Sequence, residues 1–405
     1  MTHRIRCRDW IDTEKAVWII SQEYNALLYI EKEKKTVRIE AFIEKYPIYE
    51  SGWYYSGILS GDHIVCIPSA AKDIVVYSLS DKSMFYIPVD VSDRGLGEIY
   101  NPAFNFFRGY AYGDCVLILG ACYPALINLN LKTKQMNYLC GWAADAEMYL
   151  SQENTGFYFG DGYVRLKGRL LIPMACCGAF LDVELETLEC KLVFPPGEMD
   201  SIEGVTRAEG RLCFIGRKGN LYYLCLWHPD KEGIRKLQIP YEGKSFMWIS
   251  FLSPVSWKSR VYLTPQTADH FYVVDLESGE ISIEKNLEGM ISEFSEELRE
   301  VKVGALKQNG NTVVFHTWWN YKWHKYNLDT WEHEEFELQF NDEGYTHYFQ
   351  KALCGRLLDK KINISENRIP LSIFLDEIKN RELSCDKLKD SSEINERKWR
   401  TFLKT

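Results

Sequence analysis

The sequence lacks several features that would assign it to a large class of proteins at once. It has no long apolar run: the best stretch, Val116 to Leu131, is interrupted by Gly120 and Pro124 and is too short to cross about 30 Å of hydrocarbon. Basic residues are not in excess, since 48 Lys and Arg face 57 Asp and Glu, for a net charge of −9. We therefore expect no membrane insertion and no nucleic acid as the main partner.

The 12 cysteines lack the spacing of a disulfide framework or a metal site. Many lie inside apolar, strand-like runs, as Cys66 and Cys213 do, and Cys176 and Cys177 are adjacent instead of forming a C-x-x-C motif. No apolar stretch follows the charges of the first residues, so no secretory signal is recognised. These features predict reduced thiols and a cytoplasmic location.

A pattern of apolar runs separated by polar turns recurs along the chain. One run in each copy ends in an aliphatic residue directly before a polar turn, and these residues are 41 to 54 positions apart, about 50 on average. Glycines recur seven or eight residues before the first run, at Gly57, Gly109, Gly162 and Gly204. The aligned aliphatic residues are Ile30, Leu79, Leu131, Leu185, Leu226, Leu276 and Leu328.

The runs are short and rich in β-branched and aromatic residues, which is typical of strands. A unit of about 50 residues with three clear strands, and a fourth around the glycine, predicts a four-stranded antiparallel sheet. Such sheets bury their faces by stacking, and radial closure protects their edges. We therefore predict an all-β protein: a β-propeller of about seven four-stranded blades over residues 1–358, with six blades as the alternative. The ring is expected to close through residues 5–10 or 351–355.

The repeats resemble those of kelch-type propellers, whose period is about 50 residues. A glycine doublet ends the second strand of a kelch repeat, whereas Pro68, Gly120 and Pro173 hold that place here, and the sequence contains no Gly-Gly or Trp-Asp dipeptide. Kelch-like propellers of bacteria include sugar-modifying enzymes. The resemblance therefore implies a fold and permits an enzyme, but it assigns no role to a residue.

The composition changes near residue 359. The segment 359–405 has 11 basic and 9 acidic residues, so it differs in charge from the acidic chain before it. Pro370 is suited to open a helix, and one face of that helix would hold Leu371, Phe374, Leu375 and Ile378. We expect a short, charged, helical tail that either packs on the propeller or docks another protein.

The segments that enter the innermost strands are unusually aromatic, and in a propeller they surround one mouth of the central channel. Arg108 and Glu203 each precede a recurring glycine. Rings beside planar polar groups suit sugars or peptide segments, although packing between blades, or an ion pair between Arg108 and Glu203, is the alternative. The candidate ligand-binding residues are Trp53, Tyr55, Phe106, Arg108, Tyr158, Asp161, Glu203, Trp248, Trp318 and Trp319.

The sequence predicts a non-catalytic protein that binds a protein segment or a glycan-like ligand at this mouth. The alternative is a carbohydrate-modifying enzyme, of lyase, mutarotase or epimerase type, that uses Arg108, Asp161 and Glu203: a carboxylate near the Arg serves as general base, and the cation stabilises developing negative charge. A scaffold that works through its C-terminal helix is a third hypothesis. The eight histidines are dispersed without ligand spacing, and no glycine-rich loop opens a helix, so no metal or cofactor is expected.

Overall fold

The computed structural model describes residues 5, 7–21, 24–47, 52–91, 99–150, 156–242, 249–288 and 301–340. Within this part of the chain, seven four-stranded antiparallel sheets form the predicted blades, and each blade is one continuous segment. Neither helix in these ranges is long and apolar enough to cross a membrane. The tail predicted over 359–405, with its boundary and its helix, lies outside the described residues.

The four strands of each blade follow one another in chain order, from the channel outwards. Blades 1 to 3 comprise β1 (Ile11–Asp12), β2 (Ala16–Ser21), β3 (Ala26–Glu31) and β4 (Thr36–Phe42); β5 (Tyr54–Ser60), β6 (His63–Pro68), β7 (Asp73–Ser78) and β8 (Met84–Pro88); and β9 (Phe106–Tyr112), β10 (Cys115–Gly120), β11 (Leu126–Asn130) and β12 (Met136–Leu139). The helix α1 (Gly141–Glu147) follows blade 3.

The remaining blades repeat this order. Blades 4 and 5 comprise β13 (Val164–Leu166), β14 (Arg169–Pro173), β15 (Phe180–Glu184) and β16 (Cys190–Val193), and β17 (Ser201–Ala208), β18 (Arg211–Lys218), β19 (Leu221–Trp227) and β20 (Ile234–Glu242). Blade 6 comprises β21 (Val255–Trp257), β22 (Arg260–Leu263), β23 (Tyr272–Asp275) and β24 (Ile281–Ile283), and α2 (Lys285–Glu288) follows it. Blade 7 comprises β25 (Val303–Asn309), β26 (Thr312–Thr317), β27 (Trp323–Asn327) and β28 (His333–Phe336).

The aliphatic residues that align the repeats lie at or just after the end of the third strand, one in each blade. In five blades the N–H of this residue donates to the carbonyl oxygen of the residue 17 positions earlier, at 2.8–2.9 Å, as between Leu79 and Asp62 or Leu328 and Asn311. That carbonyl belongs to the turn between the first two strands. The hydrogen bond therefore fixes the combined length of the second strand, the third strand and the loop between them, which explains their constant register within a blade.

The core is divided among the interfaces between neighbouring blades, and the last interface joins blade 7 to blade 1. There Leu28 of β3 packs in one buried cluster with Trp323 of β27 and with Ile5, Cys7 and Trp10 of the N-terminal segment. A short strand, β29 (Gln339–Phe340), also pairs in parallel with the outer edge of β4. The ring is therefore closed by packing, with residues of 5–10 in the seam; residues 351–355 lie outside the described part.

The recurring glycines allow neighbouring blades to approach closely near the axis. A Cβ atom on Gly57 would lie 2.4 Å from Cδ1 of Ile20 in blade 1, and a Cβ atom on Gly204 would lie 2.9 Å from the Cα of Ser253, ahead of blade 6. Real Cβ atoms do not tolerate such distances. At Gly204 the nearest atom belongs to the backbone, so the approach of another blade requires glycine there; neither glycine has a positive φ that would require it instead.

Candidate functional site at the channel mouth

A β-bulge interrupts the innermost strand near its start in four of the blades. The pairing registers shift so that one residue has no partner, and this residue is Tyr55 in β5, Phe107 in β9, Glu203 in β17 and Gly304 in β25. A bulge re-aims the local side chain. Tyr55, Phe107 and Gly304 all line one cavity at the mouth of the channel.

This cavity has a volume of about 80 Å³, and six of its 17 lining residues are aromatic. Tyr55 and Phe104 stack with ring centroids 5.8 Å apart, and Phe157 meets Phe104 edge-on at 6.0 Å. Trp142 of α1 supports the wall from behind, since its ring lies 5.2 Å from that of Phe159. The aromatic lining consists of Tyr55, Phe104, Phe107, Phe157, Phe159 and Trp318.

The N-terminal segment borders the same cavity. The Arg8 guanidinium lies 4.5 Å from the ring centroids of both Tyr55 and Trp318, so a cation bridges blades 2 and 7. The Trp318 indole N–H donates to the Cys7 carbonyl at 2.8 Å, and Lys307 pairs with Asp9 at 2.9 Å. These contacts fix Arg8 and Asp9 at the mouth, where both line the cavity.

Arg108 and Asp161, from neighbouring blades, form an ion pair at the cavity wall. Asp161 Oδ2 also accepts the backbone N–H of Ser253 at 2.7 Å. Burial disfavours the Arg108 cation, but the carboxylates of Asp161 and Asp9 outweigh that cost and raise the pKa of Arg108. Arg108 therefore stays charged, and both Asp161 oxygens are engaged.

Glu203, although it is also a bulge residue, does not belong to the described cavity lining. Its side chain is 1% exposed, and Oε2 accepts the backbone N–H groups of Ser250 at 2.7 Å and Phe251 at 3.1 Å. Burial raises the pKa of this carboxyl to about 7, opposed by those two N–H groups and by Arg217. The structure therefore brings Arg108 and Asp161 together. It places Glu203 between blades 5 and 6, where its carboxylate binds the backbone N–H groups of Ser250 and Phe251, just before blade 6 begins.

The predicted aromatic residues divide between the cavity and the core. Tyr55 and Trp318 line the cavity, whereas Phe106 and Tyr158 are buried among core residues, 1% and 0% exposed. Trp53 is half-buried against Tyr46, with ring centroids 4.7 Å apart, and is not part of the lining. Trp319 is half-buried and does not line the cavity either, and Trp248 lies outside the described residues.

Several lining residues were absent from the predicted set. Phe107 adjoins the predicted Phe106, and Phe157 and Phe159 flank the predicted Tyr158, so the aromatic segments were recognised but the inward-facing member was not. Arg8 and Asp9 precede the first repeat, so the repeat pattern does not mark them as residues of the mouth. Within the described lining there is no histidine or cysteine, so the mouth offers a metal ion only the carboxylates of Asp9 and Asp161, both already paired with cations.

No protein-family model matches the chain, and no curated protein matches it in sequence. Solved structures do match. The chain is similar to virginiamycin B lyase from Staphylococcus aureus, with a TM-score of 0.52, 10% identity, and coverage of 78% of this chain and 95% of that one. A catalytically inactive variant of that lyase with quinupristin gives 0.51 and 11% identity over 78% and 95% of the two chains.

The extracellular domain of a putative one-component system from B. thetaiotaomicron is also similar. Its TM-score is 0.50 at 9% identity, and the match covers 78% of this chain and 37% of that chain. At such low identities the similarity shows the fold and nothing of the chemistry. By its seven sheets and by these comparisons, the chain is a seven-bladed β-propeller.

Proposed function

We propose that this propeller is a non-catalytic binding protein that takes one side chain of a protein segment, or one ring of a glycan-like ligand, into the aromatic cavity at the channel mouth. The observation that carries the proposal is the convergence of six aromatic side chains and the Arg108–Asp161 pair on this one cavity. Rings give flat, apolar contact area, and a charged pair at the edge orients a polar group.

The size of the cavity supports a small inserted group. Its volume of about 80 Å³ is well below the roughly 300–1,000 Å³ of sites that enclose a drug-sized ligand. Arg8 and Arg108 face Asp9 and Asp161, and Lys307 also pairs with Asp9, so these side chains carry a net charge of only about +1, too little to select a polyanion. A neutral or mildly polar ring fits this balance best.

The enzyme alternative has less support. A carbohydrate lyase, mutarotase or epimerase needs a general base that reaches the substrate. Asp161 has one oxygen on Arg108 and the other on the Ser253 N–H, and Glu203 is enclosed outside the described lining. The geometry therefore favours binding over proton transfer.

Three further predictions complete the proposal. All ten cysteines in the described residues are free thiols, which supports a reducing, cytoplasmic environment. The kelch-type identity of the repeats is proposed on their period and strand order. The C-terminal helix stays a proposed docking element for a protein partner.

The test compares two Phe→Ala substitutions on the full chain. Phe107 lines the cavity, whereas Phe194, just after β16, is 46% exposed and is not among the lining residues. A displayed peptide library and a glycan array are probed with wild-type protein, and the selected ligands are then measured by calorimetry. Phe107→Ala is expected to weaken binding more than tenfold, and Phe194→Ala to leave it unchanged.

Two results would contradict the proposal. Ligands that bind Phe107→Ala as tightly as the wild type would show that the mouth is not the binding site. An absence of hits in both libraries would exclude the two proposed ligand classes.

A further inference from the structure

The antiparallel pairing of β27 with β28 places two histidines and a glutamate on one face of blade 7. His324 is directly opposite Glu335, and Tyr326 is directly opposite His333. Residues two apart in a strand share a face, so all four side chains project to the same side of the sheet. The sequence showed no ligand spacing because His324 and His333 are brought together by the register of two strands.

The ligand atoms of these side chains are close enough for one metal ion. His324 Nδ1 lies 3.3 Å from His333 Nε2 and 3.9 Å from Glu335 Oε2, and all three groups have a ligand atom within 4.8 Å of the others. Two nitrogens, each about 2.0–2.1 Å from a tetrahedral zinc ion, are about 3.3 Å apart. The two histidines therefore already have the separation that such an ion requires.

A hydrogen bond to Thr317 sets the tautomer of His324. The Thr317 hydroxyl has one proton, and two acceptors are placed to take it: Asn320 Oδ1 and, at 3.2 Å, the Lys322 carbonyl oxygen. Towards His324 Nε2, at 3.2 Å, the hydroxyl then acts as acceptor, so Nε2 carries the imidazole proton. The lone pair of His324 is therefore on Nδ1, the atom that faces His333 and Glu335. A metal-binding histidine is usually oriented by a hydrogen bond of this kind.

Packing holds the two rings in place. His324 is 1% exposed and lies against Phe315, with ring centroids 5.0 Å apart. Tyr326 stacks on His333 at 4.2 Å, almost parallel. Lys322 pairs with one oxygen of Glu335, Oε1, while Oε2 is the oxygen nearer to His324.

We propose that His324, His333 and Glu335 form a binding site for a divalent metal ion of the zinc class on the two outer strands of blade 7. Two imidazoles and a carboxylate are ligands that suit zinc and its neighbours. His333 and Glu335 are exposed, which leaves the solvent side of the ion open to water as a fourth ligand. The ion would tie the outermost strand, β28, to the buried His324. This site is separate from the channel mouth, whose lining shares no residue with it.

The experiment uses the metal alone. Full-length protein, stripped with a chelator, is titrated with Co²⁺ while visible absorption is recorded, and with Zn²⁺ in a calorimeter. One equivalent is expected, with the spectrum of tetrahedral nitrogen and oxygen coordination. His333→Ala removes an exposed ligand and is expected to weaken Zn²⁺ binding more than about 100-fold, since loss of a hydrogen bond that supports a ligand alone costs about 10- to 100-fold.

Two further variants separate this site from other metal-binding groups. His228→Ala, in the turn after β19, is the matched control and is expected to bind Zn²⁺ like the wild type. Glu335→Gln is expected to weaken binding while keeping the size of the side chain. The proposal is overturned if wild-type protein binds no Zn²⁺ at about 100 µM, or if His333→Ala binds as tightly as His228→Ala. In either case the two histidines share only a hydrogen bond.

Discussion

The buried Glu203 carboxyl should make the stability of the propeller depend on pH in a direction opposite to that of most acidic residues. Its folded pKa is about 7, raised by burial above its ordinary value of 4.5. In the unfolded chain the carboxyl ionises near the ordinary value. Between these two values the folded state therefore holds a proton that the unfolded state has lost. This stabilisation is fully present below about pH 4.5 and is lost as the pH rises through 7.

The magnitude follows from the size of the shift. A difference of one pKa unit corresponds to about 1.36 kcal/mol, so this shift is equivalent to roughly 3 kcal/mol. Glu203→Gln removes the titration and keeps a carbonyl oxygen that can accept the N–H groups of Ser250 and Phe251. The variant is therefore expected to gain roughly 3 kcal/mol relative to wild type between pH 4.5 and pH 8.

The assay is urea unfolding, followed by tryptophan fluorescence at constant ionic strength at several values between pH 4.5 and 8.5. The quantity of interest is the difference in unfolding free energy between variant and wild type, because all other titrating groups cancel in it. Asn137→Ala, at an exposed position of β12, changes no titratable group and is the control; it should give a difference that does not change with pH. A flat difference for Glu203→Gln would refute the reasoning, since it would mean that Glu203 is ionised in the folded protein.

Two further predictions concern the packing of the blades, and thermal and urea unfolding measure both. Gly204→Ala should lower stability by about 1–3 kcal/mol, because the new Cβ would lie 2.9 Å from the backbone of the segment that precedes blade 6. Gly141→Ala is the control: no atom lies within 4 Å of its Cβ position, so this change should be neutral or slightly stabilising. Equal effects of the two substitutions would contradict the close approach at Gly204. Phe106→Ala should lower stability by about 3–5 kcal/mol and Phe107→Ala by much less, since of the two only Phe106 belongs to the buried core. A larger loss for Phe107→Ala would mean that Phe107, and not Phe106, faces the core.

The ring of seven sheets could be predicted from the sequence because its signal is local to each blade. The hydrogen bond that joins the end of the third strand to the first turn occurs in five of the seven blades, as from Leu131 to Asp114 and from Leu276 to Ser259. The aliphatic residues at this position recur 41 to 54 positions apart, and this recurrence can be recognised without knowledge of the rest of the fold. The sequence cannot decide whether residues 5–10 or 351–355 close the ring, because closure depends on contacts between segments that are far apart in the chain, such as Ile5 and Trp323.

The cavity was predicted only in part because a bulge changes which side of a strand faces the channel. Alternation alone cannot place Phe106 and Phe107, since Phe107 is the extra residue in β9. Around Tyr158 the side chains do alternate, since Phe157 and Phe159 line the cavity and Tyr158 is buried, but the sequence does not show which of the two sides faces the channel. Arg8 reaches the mouth from outside the repeats, so no periodic signal marks it. The histidine cluster depended on knowledge of the β27–β28 register.

Each blade is one uninterrupted piece of chain, and this has a consequence for how such a protein can be rearranged. Here β1 to β4 all come from the N-terminal part, and within the described residues the strand that crosses the seam is the two-residue β29, on the outer edge. New chain ends placed in a loop between two blades would therefore leave every described four-stranded sheet whole. Duplication or deletion of one unit would likewise add or remove a complete blade.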